Sequence, residues 1–536
     1  MKRPVILSLI ILLSATVAFT LHALLFRSWL IDDAGISLAY ARNLAHGYGL
    51  TAQPGVPPVE GFSNPLWTLL LAASAATGVF DVLWTPKLLS WALVAGAFVV
   101  ILKASPRPRL LAALPLMLLS CNTSFVVWTT SGLENGLLAF LVVLSCGLSI
   151  RAAEGERASW ALDGGSGLVA GLLALTRPDA LLYAAAYPLT VLALARPPIA
   201  WRPLSRRLVR YGITLCTVFG AYLAFRVSYY GDWVPNTYHA KDKPSLLSLV
   251  DFAKIGDLLG SVAGPMAGAF CFLFVAGALW PWLSARMSGR LRVLLLYLGL
   301  ATVAYLVLPL DWMGEYRFAT AFFVFLYWSV GEMLQALVEA EWPRPRRQWA
   351  IAGFAVVLLS LTGFIYGPRS RAFAENPVVP FQRVAAFNGA GYNRLAAILG
   401  LSQASLLTPD LGGTLYYSTL RVYDLAGLCD RVVALTLRND HEAFLDYVFE
   451  RTRPTFIHAH ASWAEWAAFP DDPRLARDYV PISERWDGPP EWRAHASLRL
   501  PWSADYVRRD AVGPHPEKLT DLRRAFLEQG MPALSP

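Results

Sequence analysis

Long apolar runs recur along this chain, at residues 5–25, 88–102, 208–227, 262–283, 293–308, 318–338 and 350–366. Such runs suit a hydrocarbon core about 30 Å thick, where a helix satisfies its own backbone groups. Only 16% of the residues are charged, whereas soluble domains carry about a quarter. The chain therefore reads as a polytopic α-helical membrane protein. Lys2 and Arg3 precede the first run as they would in a secretory leader. The run is too long for that, and no small-x-small cleavage site precedes the acids that follow it, so a retained helix is expected. The five cysteines are scattered and show no disulfide framework or metal spacing.

The formal charge of +8 would suit nucleic acid, but the lysines and arginines cluster in short loops between spans. This is an orientation signal, and it excludes a nucleic-acid partner as the reason for the charge. The cationic loops are 2–3, 103–109, 151–157, 196–210, 286–292 and 344–347, which the positive-inside rule puts in the cytoplasm. Loops 27–64, 121–133, 176–179, 229–259 and 311–317 then face outward. Parity requires an odd number of crossings between the first outward loop and 103–109. Residues 65–80 begin with a Pro and carry an interfacial Trp, so they are expected to form an interfacial or re-entrant helix. Residues 164–195 are broken at "TRPD", because Pro178 disfavours helix just before it, and are expected to form two short spans. The count is then about eleven crossings, with the carboxyl terminus outside. After residue 368 the chain turns charged and Pro-rich. The strand-like pieces "ASLLTPD", "LRVYDLAG" and "RPTFIHAH" predict a C-terminal extracytoplasmic α/β domain over 369–536, following a transmembrane domain over 1–368.

Polar and aromatic clusters gather in the outward loops, so function is expected on that face. The first is "IDDAGISLAYARN". If a helix starts at Asp33, then Ser37 and Tyr40 share its face at i+4 and i+7. One acid suffices to cap a helix and favour its dipole. A partly desolvated carboxylate is also a suitable general base for a hydroxyl nucleophile, and two acids can ligate a metal. All three readings stand for Asp32 and Asp33 on the residues alone.

"YYGDWVPNTYHAKDK" brings Asn236, Tyr238, His239 and Lys241 together, either as an interfacial belt or as aromatic faces for a sugar beside a point charge for a phosphate. Arg317 in "DWMGEYRF" either snorkels or binds an anion. Arg177 either binds an anion or pairs locally with Asp179, and Glu134 in "SGLENG" either caps a span or contacts substrate. His458 and His460 alternate on an expected strand with no Cys or carboxylate beside them in sequence, so no metal role is read there. No P-loop, GxSxG, HExxH or dinucleotide signature is present.

Six ordered motifs, "IDDAGISLAYARNLAHGYGL", "VEGFSNPLW", "TSGLENGLLAF", "LTRPDALL", "YYGDWVPNTYHAK" and "DWMGEYRF", span most of residues 25–320. Together they resemble bacterial glycosyltransferases of the GT-C class, and most nearly the terminal β-(1→2)-arabinofuranosyltransferases of mycobacterial type. The tail "TPDLGGTLYYSTLRVYDLAGLCD" is also similar to that group. The resemblance implies an inverting enzyme in the bacterial plasma membrane. Its donor would be a polyprenyl-phosphate sugar, arabinofuranose as first expectation with hexoses open, and its acceptor a cell-envelope glycan or glycolipid outside the cell. It carries the catalytic aspartate onto the pair Asp32 and Asp33 without choosing between them; the helical face shared with Ser37 and Tyr40 favours Asp33 as base, with Asp32 orienting base or acceptor. Arg42, Arg177, Lys241 and Arg317 become candidate phosphate partners, and Ser37, Tyr40, Glu60, Glu134, Asn236, Tyr238 and His239 candidate sugar or acceptor contacts. A divalent cation would help the phosphate depart, and basic residues would also serve, so no cofactor is assigned. Gly35 departs from the pattern, since relatives often carry an aromatic there. The competing class is a transporter or flippase for lipid-linked glycans, whose ionisable groups should lie near the midplane of the spans.

Overall fold

The computed structural model describes residues 3–105, 112–193, 201–241, 253–254, 256–261, 288–308, 311–341, 344–483 and 504–529. Among them, six helices are long and apolar enough to cross a membrane: Val5–Phe26, Trp84–Ala104, Asn135–Ala153, Trp201–Tyr230, Gly289–Val307 and Arg317–Gln335. The bent pair Ala113–Cys121 and Thr123–Thr130 makes a seventh if it is one broken span. Its 71° bend has a local cause: Asn122 leaves the helical region and its side chain accepts from Phe125 N at 2.7 Å, starting a new helix. Part of the expected loop 121–133 is thus a buried helix.

The described residues supply six or seven spans where about eleven were expected. The expected run 262–283 lies outside them. Around the break at "TRPD" stand the apolar helix Trp160–Ala174, short of a crossing, and the 3-10 segment Pro178–Ala185 that continues into Ala186–Ala193, the last described residues of the expected second span. Pro65–Ala76 is a twelve-residue helix, about 18 Å long at 1.5 Å per residue. It is likewise short of a span.

The chain divides into two compact units. The first comprises Met1–Ser28, Leu83–Phe225 and Pro244–Val378, and the second Trp29–Val82, Arg226–Lys243 and Val379–Pro536. The expected boundary near 368 is therefore not the whole division: the acid-pair loop and Pro65–Ala76 belong with the C-terminal segment.

The second unit is built on a five-stranded sheet of order β2-β1-β3-β5-β4. Its strands are β1 Ser405–Thr408, β2 Arg421–Asp424, β3 Phe456–Ala459, β4 Tyr479–Ser483 and β5 Ala504–Arg508. Parallel pairing joins β1 to both β2 and β3, and β5 runs antiparallel to β3 and β4. Alternation sorts the side chains into two cores. Leu406 and Phe456 join Tyr392, Leu395, Leu522 and Phe526 on one face. Leu407 and Ile457 join Phe444, Val448 and Phe469 on the other. A sheet buried on both faces explains why β1 and β3 read as short apolar runs. Because β2 and β3 lie on opposite sides of β1, the carboxyl end of β1 is a switch point, where such sheets open a crevice.

Candidate active site

Residues 32 and 33 open the helix Asp32–Ala45, whose N-cap is Ile31 in an extended conformation. The entry is pinned by Asp32 N donating to Val379 O at 3.0 Å and Phe381 N donating to Leu30 O at 2.9 Å. The two acids differ sharply. Asp32 is 5% exposed and accepts from Gly412 N at 2.9 Å and Gly413 N at 2.7 Å. Those amides begin the helix Gly412–Tyr417 and have no acceptor within it. Burial and nearby Asp410 raise the Asp32 carboxyl well above the usual range, against the lowering by the two amides. Both Asp32 oxygens are therefore committed to structure. Asp33 is only half-buried at the next position of the first turn.

Gly35 shows why this helix lacks an aromatic there. A Cβ at Gly35 would lie 2.5 Å from the Gly412 carbonyl carbon, and one at Gly412 would lie 1.7 Å from Asp32 O. The two backbones touch, and neither position accepts a side chain.

Ser37 and Tyr40 follow Asp33 on one face, as the periodicity predicts, but both are buried and serve the neighbouring loop. Ser37 donates to Asn64 Oδ1 at 3.0 Å. Tyr40 donates to Val59 O at 2.6 Å and accepts from Gly61 N at 3.1 Å. The stripe fixes residues 59–64 against the helix that carries Asp33.

Glu60, expected to contact substrate, is instead gripped by Arg226, whose Nε and Nη2 donate to its two oxygens at 2.6 and 3.1 Å. Asn236 is also spent internally, donating to Gly427 O at 2.7 Å and Leu428 O at 3.0 Å. His239 Nε2 lies 2.9 Å from Asp232 Oδ2. Arg42 is withdrawn as a phosphate partner: it donates to Tyr416 O and to Leu415 O, closing the last turn of Gly412–Tyr417, and lies over the Tyr416 ring. Tyr238 and Lys241 are exposed. Arg226 escaped the sequence reading because it sits inside a long apolar helix, far in sequence from Glu60. Gln53 escaped too; it pairs with Leu420 O and Val422 N, each at 3.0 Å, and extends the β2 edge.

Replacing Arg226 with Ala removes the guanidinium fork from Glu60, a buried charge whose side chain is 1% exposed. A loss of about 3–5 kcal/mol is expected, measurable by thermal or denaturant unfolding in detergent, with Arg226→Lys intermediate because a point charge replaces a fork.

In the first unit, Arg177 donates to Glu134 and to Asp179 at 2.9 Å each, all three nearly buried. Two carboxylates offset one guanidinium, so neither Arg177 nor Glu134 stands ready for a ligand. Arg317 pairs with Asp311 at 3.0 Å and lies over the rings of Phe318 and Trp128. Gly314, Glu315 and Tyr316 form a run of positive φ (71°, 48° and 49°), a strained arrangement of the kind that needs external support. Support comes from Arg369 Nε to Glu315 Oε1 at 2.7 Å, Trp128 Nε1 to Glu315 O at 2.8 Å, and Ser124 to Glu315 Oε2 at 3.2 Å. Arg369 was missed because "PRSR" lies just past an apolar run and reads as a boundary.

A further cluster lies at the switch point. Asp410 follows β1, while His458 and His460 sit at the end of β3. His460 Nε2 is 2.9 Å from Asp410 Oδ2, and His458 Nε2 is 3.5 Å from the same oxygen. His458 Nδ1 contacts Asp505 Oδ1 at 2.6 Å, and Tyr392 donates to that oxygen too. The histidines thus do have carboxylates beside them, brought from β1 and β5. Burial alone would raise Asp410, but His460 and His458 pull its carboxyl below the usual range. Burial would likewise lower His458, yet Asp505 and Asp410 raise it to about 9.

No known family model matches the chain. The terminal β-(1→2)-arabinofuranosyltransferase of Mycobacterium tuberculosis is 30% identical over 231 residues, 40% of this chain. The match spans only 35% of that protein's length. Among solved structures, ArnT from Cupriavidus metallidurans bound to undecaprenyl phosphate aligns with a TM-score of 0.57 over 95% of this chain and 99% of ArnT, at 12% identity. The oligosaccharyltransferase AglB from Archaeoglobus fulgidus, in complex with an inhibitory peptide and a dolichol-phosphate, aligns with a TM-score of 0.52 over 94% of this chain and 76% of AglB, at 12% identity. The chain thus shares its fold with ArnT and AglB. With the apolar helices above, this fold makes the chain a multi-pass membrane protein.

Proposed function

We propose that this chain is an inverting glycosyltransferase that moves a sugar from a polyprenyl phosphate to an extracytoplasmic glycan or glycolipid, with Asp33 as general base. The observation that carries the reading is the division of labour in the acid pair. Asp32 is buried and held by two amides, so a neighbouring carboxylate is presented half-buried at the start of a rigid helix. A base needs that placement: fixed in position, partly desolvated and reachable by a hydroxyl. Asp33 takes the acceptor proton as the oxygen attacks the anomeric carbon. The glycosyl–phosphate bond breaks on the opposite face, and the electron pair leaves with the polyprenyl phosphate. Capping remains a smaller part of what Asp33 does, since a first-turn carboxylate favours the dipole by about 0.3–1 kcal/mol.

Ser37, Tyr40, Glu60 and Asn236 become positioning residues under this reading, and exposed Lys241 is the cation of the same unit assigned to the donor phosphate. The cationic-loop pattern supports an outward-facing acid pair, and the family resemblance supports a bacterial plasma membrane. Arabinofuranose is the first sugar to try, because the 30%-identical mycobacterial protein is named for that transfer. The test is sugar transfer in membranes carrying the full chain, supplied with a panel of polyprenyl-phosphate sugars. Turnover with arabinofuranose and not with hexoses is the expected result. Turnover with a hexose alone would replace the sugar and keep the mechanism, and no turnover with any donor would count against the reading.

A further inference from the structure

We propose that Asp410, His458 and His460 form a binding site for a divalent transition-metal ion of the zinc class. One carboxylate oxygen and two imidazole nitrogens lie within 4.8 Å of one another. Metal–ligand bonds of about 2.1 Å in a tetrahedron set ligand atoms about 3.4 Å apart. The observed separations from Asp410 Oδ2 are 2.9 Å to His460 Nε2 and 3.5 Å to His458 Nε2. Two of the three separations are thus near the tetrahedral value, and the third lies within 4.8 Å. Two imidazoles select against magnesium and calcium, which take oxygen ligands, and favour zinc and its transition-metal neighbours.

The surroundings have the form of a metal site's support. Asp505 is fully buried and holds His458 through Nδ1, while Tyr392 holds Asp505 in turn. A carboxylate on the far nitrogen fixes the tautomer and aims Nε2 at the ion. His458 is buried, while His460 and Asp410 are each 15% exposed, which gives the ion an entry path. Three protein ligands leave a fourth position for water or a ligand group.

The site also has a place in the architecture. Asp410 lies two residues before Gly412, whose amide holds Asp32. An ion on Asp410 would brace the turn that carries both amides, so its proposed role is to position the acid-pair helix rather than to react. The proposal does not rest on the transferase reading, because its test counts metal.

The full chain is purified in detergent without a histidine tag, stripped with a chelator, dialysed against buffered zinc, and assayed by plasma mass spectrometry. About one zinc per chain is expected for a single site. His460→Ala and Asp410→Asn should lower it at least tenfold, while His441→Ala, an exposed histidine elsewhere in the unit, should not. Thermal melting of each stripped variant shows that it is folded. Cobalt in place of zinc should give the visible absorption of a four-coordinate ion in wild type and not in His460→Ala. Wild type with no zinc above buffer, or with zinc undiminished in His460→Ala and Asp410→Asn, would overturn the site and leave only a hydrogen-bonded His–Asp network.

Discussion

Asp33→Asn is expected to lower sugar transfer by about 10²–10⁴-fold, the usual contribution of a positioned general base, with folding nearly unchanged. Asn keeps the shape and one acceptor oxygen but cannot take the acceptor proton at neutral pH. Its cost to the helix is limited to a lost dipole interaction of about 0.3–1 kcal/mol, far too little to account for a hundredfold loss of rate. Asp32→Asn should behave differently. Both Asp32 oxygens accept backbone N–H groups, so an amide there turns one NH₂ toward a donor and leaves a buried N–H unsatisfied. That costs about 1–3 kcal/mol. Melting temperature should therefore fall in Asp32→Asn and hold in Asp33→Asn, while rate per folded molecule falls mainly in the latter. Equal losses of rate in both, with equal stability, would return the pair to a shared role such as metal ligation.

Gly412→Ala should produce the second large effect. Its new Cβ would meet Asp32 O at 1.7 Å, Asp32 C at 2.6 Å and Asp32 Oδ1 at 2.8 Å. Two of these are backbone atoms, so no flexible side chain can relieve the clash. Overpacking alone costs about 1–3 kcal/mol, and separating the helices also breaks both amide bonds to Asp32, at about 1 kcal/mol or more each. A loss of about 3 kcal/mol or more is expected, read by thermal melting and protease sensitivity, and transfer should fall with it. Gly220→Ala is the control. Its Cβ meets nothing within 4 Å, and Ala is favoured over Gly inside a helix.

What the sequence made legible follows the range of each interaction. The strand-like composition of "ASLLTPD", "LRVYDLAG" and "RPTFIHAH" is a local signal, and these pieces form β1, β2 and β3. The helix at Asp32 and the Arg177–Asp179 pair are also local, resting on residues within one or two turns. Long-range partners were not legible. Nothing near Glu60 points to Arg226, and nothing near His458 points to Asp410 or Asp505, which reach it only because β1 and β5 flank β3. The meaning of Gly35 was hidden for the same reason, since the backbone it touches lies at Gly412. Span counting reads apolar composition, not helix length: 164–195 is apolar enough for two crossings, whereas its described part holds the short helix Trp160–Ala174 and the 3-10 segment that continues into Ala186–Ala193.

In the proposed reaction an acceptor hydroxyl breaks the glycosyl–phosphate bond of the donor. The most direct measurement follows both products from the purified full chain in proteoliposomes, given a polyprenyl-phosphate sugar and a glycan acceptor. Polyprenyl phosphate should appear one-for-one with glycosylated acceptor, only when acceptor is present, and hardly at all with Asp33→Asn. Intact donor moved across the bilayer with no polyprenyl phosphate released would contradict the account and make the chain a carrier of lipid-linked sugar.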